Sequence, residues 1–294
     1  MDLNCFGMDT ASLAGPLDTK LACIRQAGFT QVLLSARDIA GHPGGVQTAV
    51  AAVRASGLRV TGLQMLHDFE GLAGHLHDYK VDIAKAMLAM CRALGANVLL
   101  VSSSTSNHAS DDRDHVIRDL RKLAMLAVPL GIKVGYEALS WGRCISDYSK
   151  AWDIVQEADR GNLGLDLDLF HMLAMKSGLD ALDDVVADKI CLVKLADFMW
   201  QELPSQEERI DTARHVRVFP GEGVHSQEVV QLVRRLESMR DVGDYSFEVF
   251  NDDYEQIPLP MVAERARHSA RWLTSQAARG NLLPWTRPAR VLSA

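Results

Sequence analysis

Short apolar runs alternate along this chain with longer stretches of helical periodicity. The runs Leu3–Phe6, Gln31–Ser35, Arg59–Met65, Asn97–Ser102, Ile132–Glu137, Leu163–Asp168, Ile190–Leu195 and Tyr245–Phe250 predict eight strands. Between them, Lys80–Leu94 sets Ile83, Ala86, Met87, Met90 and Leu94 on one stripe at helical spacing, and Asp111–Pro129 and Ser226–Met239 follow the same pattern. Gly28, Gly57, Gly95 and Gly131 each stop a helix just ahead of a strand. A strand–helix unit repeated eight times predicts an α/β fold, a parallel (β/α)8 TIM barrel in a single domain over residues 1–279. An open doubly wound sheet is the architectural alternative. No linker splits the chain. Trp200–Val224 is long for a strand-to-helix connection and is expected to form a lid over the strand ends. The tail 280–294 is expected to be a surface extension.

Composition narrows the partners more than the fold. The 294 residues are 48% hydrophobic and 23% charged, enough for one large core. A net charge of −7, with no basic run interleaved with aromatics, argues against nucleic acid. The five cysteines, Cys5, Cys23, Cys91, Cys144 and Cys191, are scattered and form no CxxC, which points to reduced thiols and a cytoplasmic location. No basic region followed by an apolar run opens the chain, and no apolar stretch nears the roughly 18 residues of a membrane helix, so no membrane partner is expected. A homo-oligomer is left open.

Barrel chemistry is placed where strands end. The fifth, sixth and eighth runs carry Glu137, Asp168 and Glu248 at matching positions. Three carboxylates near one axis repel unless a cation sits among them, and a hard divalent ion with oxygen ligands is the economical cation. Helix capping or solvent exposure would explain any single one of them. His171, just past Asp168, is a candidate for proton transfer, and His67 a second candidate. Arg143, Arg214, His215 and Arg217 supply positive charge in the loops after the fifth and seventh strands, where they could clamp a substrate carboxylate. Trp141, Trp200 and Phe250 fit either pocket wall or core.

Several of these residues fall in longer motifs. They are Tyr136-Glu137-Ala138-Leu139-Ser140-Trp141-Gly142-Arg143, Leu167-Asp168-Leu169-Phe170-His171, Arg217-Val218-Phe219-Pro220-Gly221-Glu222-Gly223 and Phe247-Glu248-Val249-Phe250-Asn251-Asp252, with Asp68-Phe69-Glu70-Gly71 after the third strand. In these motifs the chain resembles the sugar phosphate isomerase/epimerase superfamily, the xylose-isomerase-like barrels, and within it the bacterial 3-dehydroshikimate dehydratases. The resemblance implies a divalent metal (Mg, Mn or Co) held by Glu137, Asp168 and Glu248, which are also implicated in catalysis. The fourth ligand, a glutamine or histidine on the seventh strand, falls here on Lys194, whose ammonium has no lone pair to donate. Asp166 shares a face with Asp168, so Lys194 is expected to lean down to Asp166 and leave the metal in place; displacement of the metal by the ammonium is the alternative.

The resemblance also implies a polyhydroxylated carbonyl or carboxylate substrate. The expected reaction is dehydration of 3-dehydroshikimate to protocatechuate through an enolate, with His171 or a neighbouring base taking the proton. A keto-sugar isomerase or epimerase on the same site is the second expectation. A catalytically degenerate barrel that binds a small carboxylate or sugar is the third.

Overall fold

Eight parallel strands close on themselves in sequence order: β1 (Phe6–Asp9), β2 (Gln31–Ser35), β3 (Arg59–Leu66), β4 (Val98–Ser102), β5 (Lys133–Glu137), β6 (Leu163–Asp168), β7 (Ile190–Leu195) and β8 (Asp244–Phe247). β8 pairs with β1, so the sheet has no edge and the doubly wound alternative falls away. The structure is a computed structural model describing residues 2–239 and 242–278; the expected extension 280–294 lies outside the described residues. Among the described residues no helix is long and apolar enough to cross a membrane.

The strands are apolar because both faces are covered. β4, Val98-Leu99-Leu100-Val101-Ser102, is buried at every position, as a parallel strand under helices must be. Helix Gly74–Leu94 buries Val81, Ala84, Met87, Leu88, Cys91 and Leu94. This stripe is rotated from the predicted one: Ala86 is exposed, and Ile83 and Met90 lie at its margin. The helix stops at Gly95, whose φ of 73° is left-handed, a conformation that suits glycine. Inside the barrel, a Cβ at Gly135 would meet the Leu100 side-chain tip at 2.8 Å, so Leu100 packs where it does because residue 135 has no side chain.

The first strand is displaced from its predicted place. Leu3–Cys5 forms a 3-10 turn because the Asp2 carboxylate accepts the Asn4 N–H, and the strand begins at Phe6 and ends on Asp9. The eighth strand ends at Phe247, although the Glu248 N–H still donates to the Leu195 carbonyl at 3.2 Å. The segment expected as a lid is folded and anchored to the barrel rim. Residues 206–215 form a helix with a Ser205/Glu208 capping box, and the chain then returns to the barrel rim through bridges Val216–Asn251 and Asp197–Val218. Register places Ser102 beside Glu137, Asp168 beside Lys194 and Lys194 beside Ser246, which sets the candidate site at the carboxyl ends of the strands.

Candidate active site

A cavity of about 640 Å³ opens at the carboxyl ends of the strands, a volume suited to a small-molecule ligand. Glu137, Glu248, His171, Lys194 and Arg217 line it, and Asp168 lies beneath this lining, its Oδ2 3.6 Å from His171 Nε2. All six are buried. The Lys194 Nζ lies 3.1 Å from Glu137 Oε2, 3.2 Å from Asp166 Oδ2 and 3.2 Å from Glu248 Oε1. The Arg217 Nη1 lies 2.9 Å from Asp168 Oδ2 and 3.1 Å from Glu248 Oε2, with its guanidinium 4.4 Å from the centre of the Phe170 ring. Two cations are thus interleaved with four carboxylates. Burial opposes the Lys194 charge, but Asp166, Glu137 and Glu248 outweigh it and hold the ammonium well above the ordinary lysine range. Burial raises the Asp166 carboxyl to about 7, against the pull of Lys194.

Asp168 serves two structures at once. Its Oδ1 accepts the Phe170 N–H at 2.8 Å and caps helix Leu169–Ala174, while its Oδ2 faces Arg217. That helix carries His171, whose Nε2 is 3.7 Å from Glu137 Oε1 and 3.6 Å from Asp168 Oδ2. Its Nδ1 accepts the Ser140 main-chain N–H at 3.2 Å. A main-chain N–H can only donate, so Nδ1 holds the lone pair and Nε2 the hydrogen of the neutral ring. Burial, with Arg217 adding to it, keeps His171 well below its ordinary value and hence neutral.

The family of xylose isomerase-like TIM barrels matches residues 21–276. The chain belongs to that family. A 3-dehydroshikimate dehydratase of Pseudomonas putida is 32% identical over 270 residues, 91% of this chain and 41% of that protein. An inosose isomerase of Bacillus licheniformis is 27% identical over 188 residues, 62% of this chain and 64% of that protein. A xylose isomerase-like TIM barrel/4-hydroxyphenylpyruvate dioxygenase fusion protein superposes with a TM-score of 0.86 at 31% identity, over 92% of this chain and 43% of that one. The chain spans about two-fifths of the length of the Pseudomonas relatives.

The metal set implied by resemblance to this xylose isomerase-like family changes here. Lys194 does not lean away to Asp166: its Nζ is shared almost equally among three carboxylates. Glu248, expected as a ligand, has both oxygens engaged, Oε1 by Lys194 and by Gln64 Nε2 at 3.0 Å, Oε2 by Arg217. The family's four-ligand set therefore does not fit. Glu137, Asp168 and His171 do bring one donor atom each within 4.8 Å of one another, an arrangement able to hold a divalent ion. Of the three, His171 Nε2 carries hydrogen in the tautomer that Ser140 selects, and both Asp168 oxygens are already engaged, by the Phe170 N–H and by Arg217, so an ion there would compete with Arg217 for Asp168.

The rim residues divide clearly. His67, Arg214, Trp141 and Phe250 line the cavity. His67 Nδ1 bonds the Ser102 hydroxyl at 2.9 Å, and burial holds its ring below the ordinary value, with Asp68 acting the other way. Arg143 and His215, expected to grip a substrate carboxylate, stand outside this cavity. Arg143 is exposed on the loop after β5, and His215 faces the Asp252 carboxylate at 3.2 Å. Arg217 lines the cavity, but its guanidinium is committed to Asp168 and Glu248. Trp200 is exposed and is no part of the wall.

Four contributors escaped the sequence reading. Asp9, ending β1, takes a hydrogen bond from Gln64, which also holds Glu248. Burial and the Glu248 charge push the Asp9 carboxyl well up. Arg37 lines the mouth from the helix after β2. Ser102 orients His67. Asp9 shows the same signal as Glu137 and Asp168, an acid closing an apolar strand, but the misplaced strand hid it.

Proposed function

We infer that this barrel eliminates water from 3-dehydroshikimate, a cyclic β-hydroxy ketone carrying a carboxylate, to give protocatechuate. The identity to the Pseudomonas putida 3-dehydroshikimate dehydratase over 91% of the chain carries the reading, and the cavity chemistry supports it. Lys194 and Arg217 offer a fixed positive floor against which a substrate carbonyl oxygen gains enolate charge, and fixed charge needs no reorganisation as the reaction proceeds.

In this reading His67, neutral and oriented by Ser102, takes the α-proton, and the C–H electrons move into the carbonyl as the enolate forms. The enolate then collapses, the carbon–oxygen bond to the β-hydroxyl breaks, and the proton that His67 took passes to the departing hydroxide, which leaves as water and returns His67 to its neutral form. The neutral His171 keeps its Nε2 hydrogen and donates a hydrogen bond where charge develops. Loss of one further ring proton to the site and return of one to oxygen complete the aromatic ring. Arg214 and Arg37 at the mouth face the carboxylate. A divalent ion on Glu137 and Asp168 (magnesium, manganese or cobalt) would supply Lewis acidity when bound; none of these steps depends on it.

Incubation with 3-dehydroshikimate followed by ultraviolet absorbance tests the reading, because only dehydration makes an aromatic product. The likeness to an inosose isomerase favours a second reading, isomerisation or epimerisation through the same enolate. That reaction would exchange the α-proton with solvent deuterium and leave absorbance flat.

A further inference from the structure

We propose that Lys194 is a built-in substitute for the metal: its ammonium lies between Glu137 and Glu248, two of the three carboxylates that the family pattern assigns to a divalent ion, with Asp166 as its third partner. The carrying observation is that Nζ lies 3.1–3.2 Å from carboxylate oxygens brought in by three different strands: Glu137 ending β5, Asp166 one layer inside β6, and Glu248 just past β8. Lys194 is wholly buried, with a relative exposure of 0%. A buried ammonium persists only where carboxylates compensate it, and removing either side leaves the other unpaired. The pairing is therefore part of the folded core and is not a surface contact that an ion could brush aside.

Sterics and charge make ammonium and ion alternatives. A hard divalent ion sits about 2.0–2.6 Å from its carboxylate oxygens. An ion bound to the same Glu137 and Glu248 oxygens would lie within van der Waals contact of Nζ, with like charge facing like. Arg217 completes the substitution by pairing with Asp168 and with the other Glu248 oxygen. Together the two side chains carry two positive charges, the charge of one divalent ion, distributed over the same carboxylates. What remains for a metal is the outer edge of the cluster, at Glu137 Oε1 and Asp168, and an ion there would be weakly held. This inference stands apart from the dehydratase reading, since its readouts are metal binding and thermal stability and involve no substrate.

The test is metal content and manganese titration of the full chain and of Lys194→Gln, which supplies a neutral oxygen donor at the same place. After dialysis against a chelator, the wild-type protein should retain well under one equivalent of divalent ion. Its melting temperature should be indifferent to manganese. The Lys194→Gln protein should bind manganese at least about ten-fold more tightly and melt higher when it is added. If the glutamine protein folds only when manganese is present during expression, that dependence is the same positive result. Wild-type protein that keeps one tightly held equivalent through dialysis would overturn the proposal. So would manganese binding that is no tighter in Lys194→Gln.

Discussion

The Ser140 main-chain N–H donates to Nδ1 of His171 at 3.2 Å. That contact selects the tautomer with hydrogen on Nε2 and points it at Glu137 and Asp168. Nitrogen-15 NMR should therefore show a neutral Nε2–H ring that does not titrate near the ordinary histidine value, because burial and Arg217 hold it well below. His171→Ala should lower kcat by about a hundred- to a thousand-fold with a smaller change in KM. Wild-type turnover in the variant would reduce His171 to a packing residue.

Arg217 bridges Asp168 and Glu248 from a connecting segment rather than from a strand. Arg217→Ala leaves two buried carboxylates facing each other and should destabilise the fold by about 3–5 kcal/mol. Arg217→Lys should recover only part of this, since one ammonium cannot reproduce the guanidinium's stacking on Phe170 along with both contacts. Urea denaturation of the three proteins measures both steps. A loss below about 1 kcal/mol in the alanine variant would contradict the bridge.

Glu70 gives the stability a pH dependence of known sign. Its Oε1 accepts the Tyr136 hydroxyl at 3.1 Å and the Ser104 N–H at 2.5 Å, yet burial raises its carboxyl from 4.5 to about 7. The folded chain thus holds this proton more tightly than the unfolded chain. The resulting stability is complete below the unfolded value and is lost as pH rises through about 7. The loss attributable to this group is on the order of 3 kcal/mol. Glu70→Gln should remove that share, so the difference between variant and wild type should grow in the variant's favour from about pH 5 to about pH 8. Parallel slopes in the two proteins would show that Glu70 is ionised throughout.

Arg214 lines the cavity while Arg143 and His215 do not. Arg214→Ala should raise KM for a carboxylate substrate by roughly ten-fold with kcat nearly unchanged, as befits a contact made equally in ground and transition states. Arg143→Ala and His215→Ala should leave both constants within about two-fold of wild type. Equal effects in all three would return the clamp to the wider loop surface.

The barrel and half of its site are legible in the chain for a simple reason. Helix capping explains one acid at the end of an apolar strand but not three at matching positions, so Glu137, Asp168 and Glu248 stand out, and register then places Asp168 beside Lys194. Asp9 is hidden because β1 has only four residues, one of them Gly7, and the local Asp2–Asn4 bond ends what looked like a strand. Arg217 is visible as a site residue, but its partners, Asp168 and Glu248, are not. An arginine in a connection normally points to water, and only the long-range pairing of Asp197 with Val218 brings this one inside. Whether Lys194 faces one carboxylate or three is a matter of tenths of an ångström, which strand alternation does not resolve.

Asp168 divides its two oxygens between a helix start and the cavity floor. Evolution toward a new substrate is constrained accordingly. A variant library sorted for heat resistance and one sorted for turnover would both retain this aspartate, for unrelated reasons. Altered specificity should therefore be sought first at the mouth, around Arg37 and Arg214, where no backbone depends on the side chain.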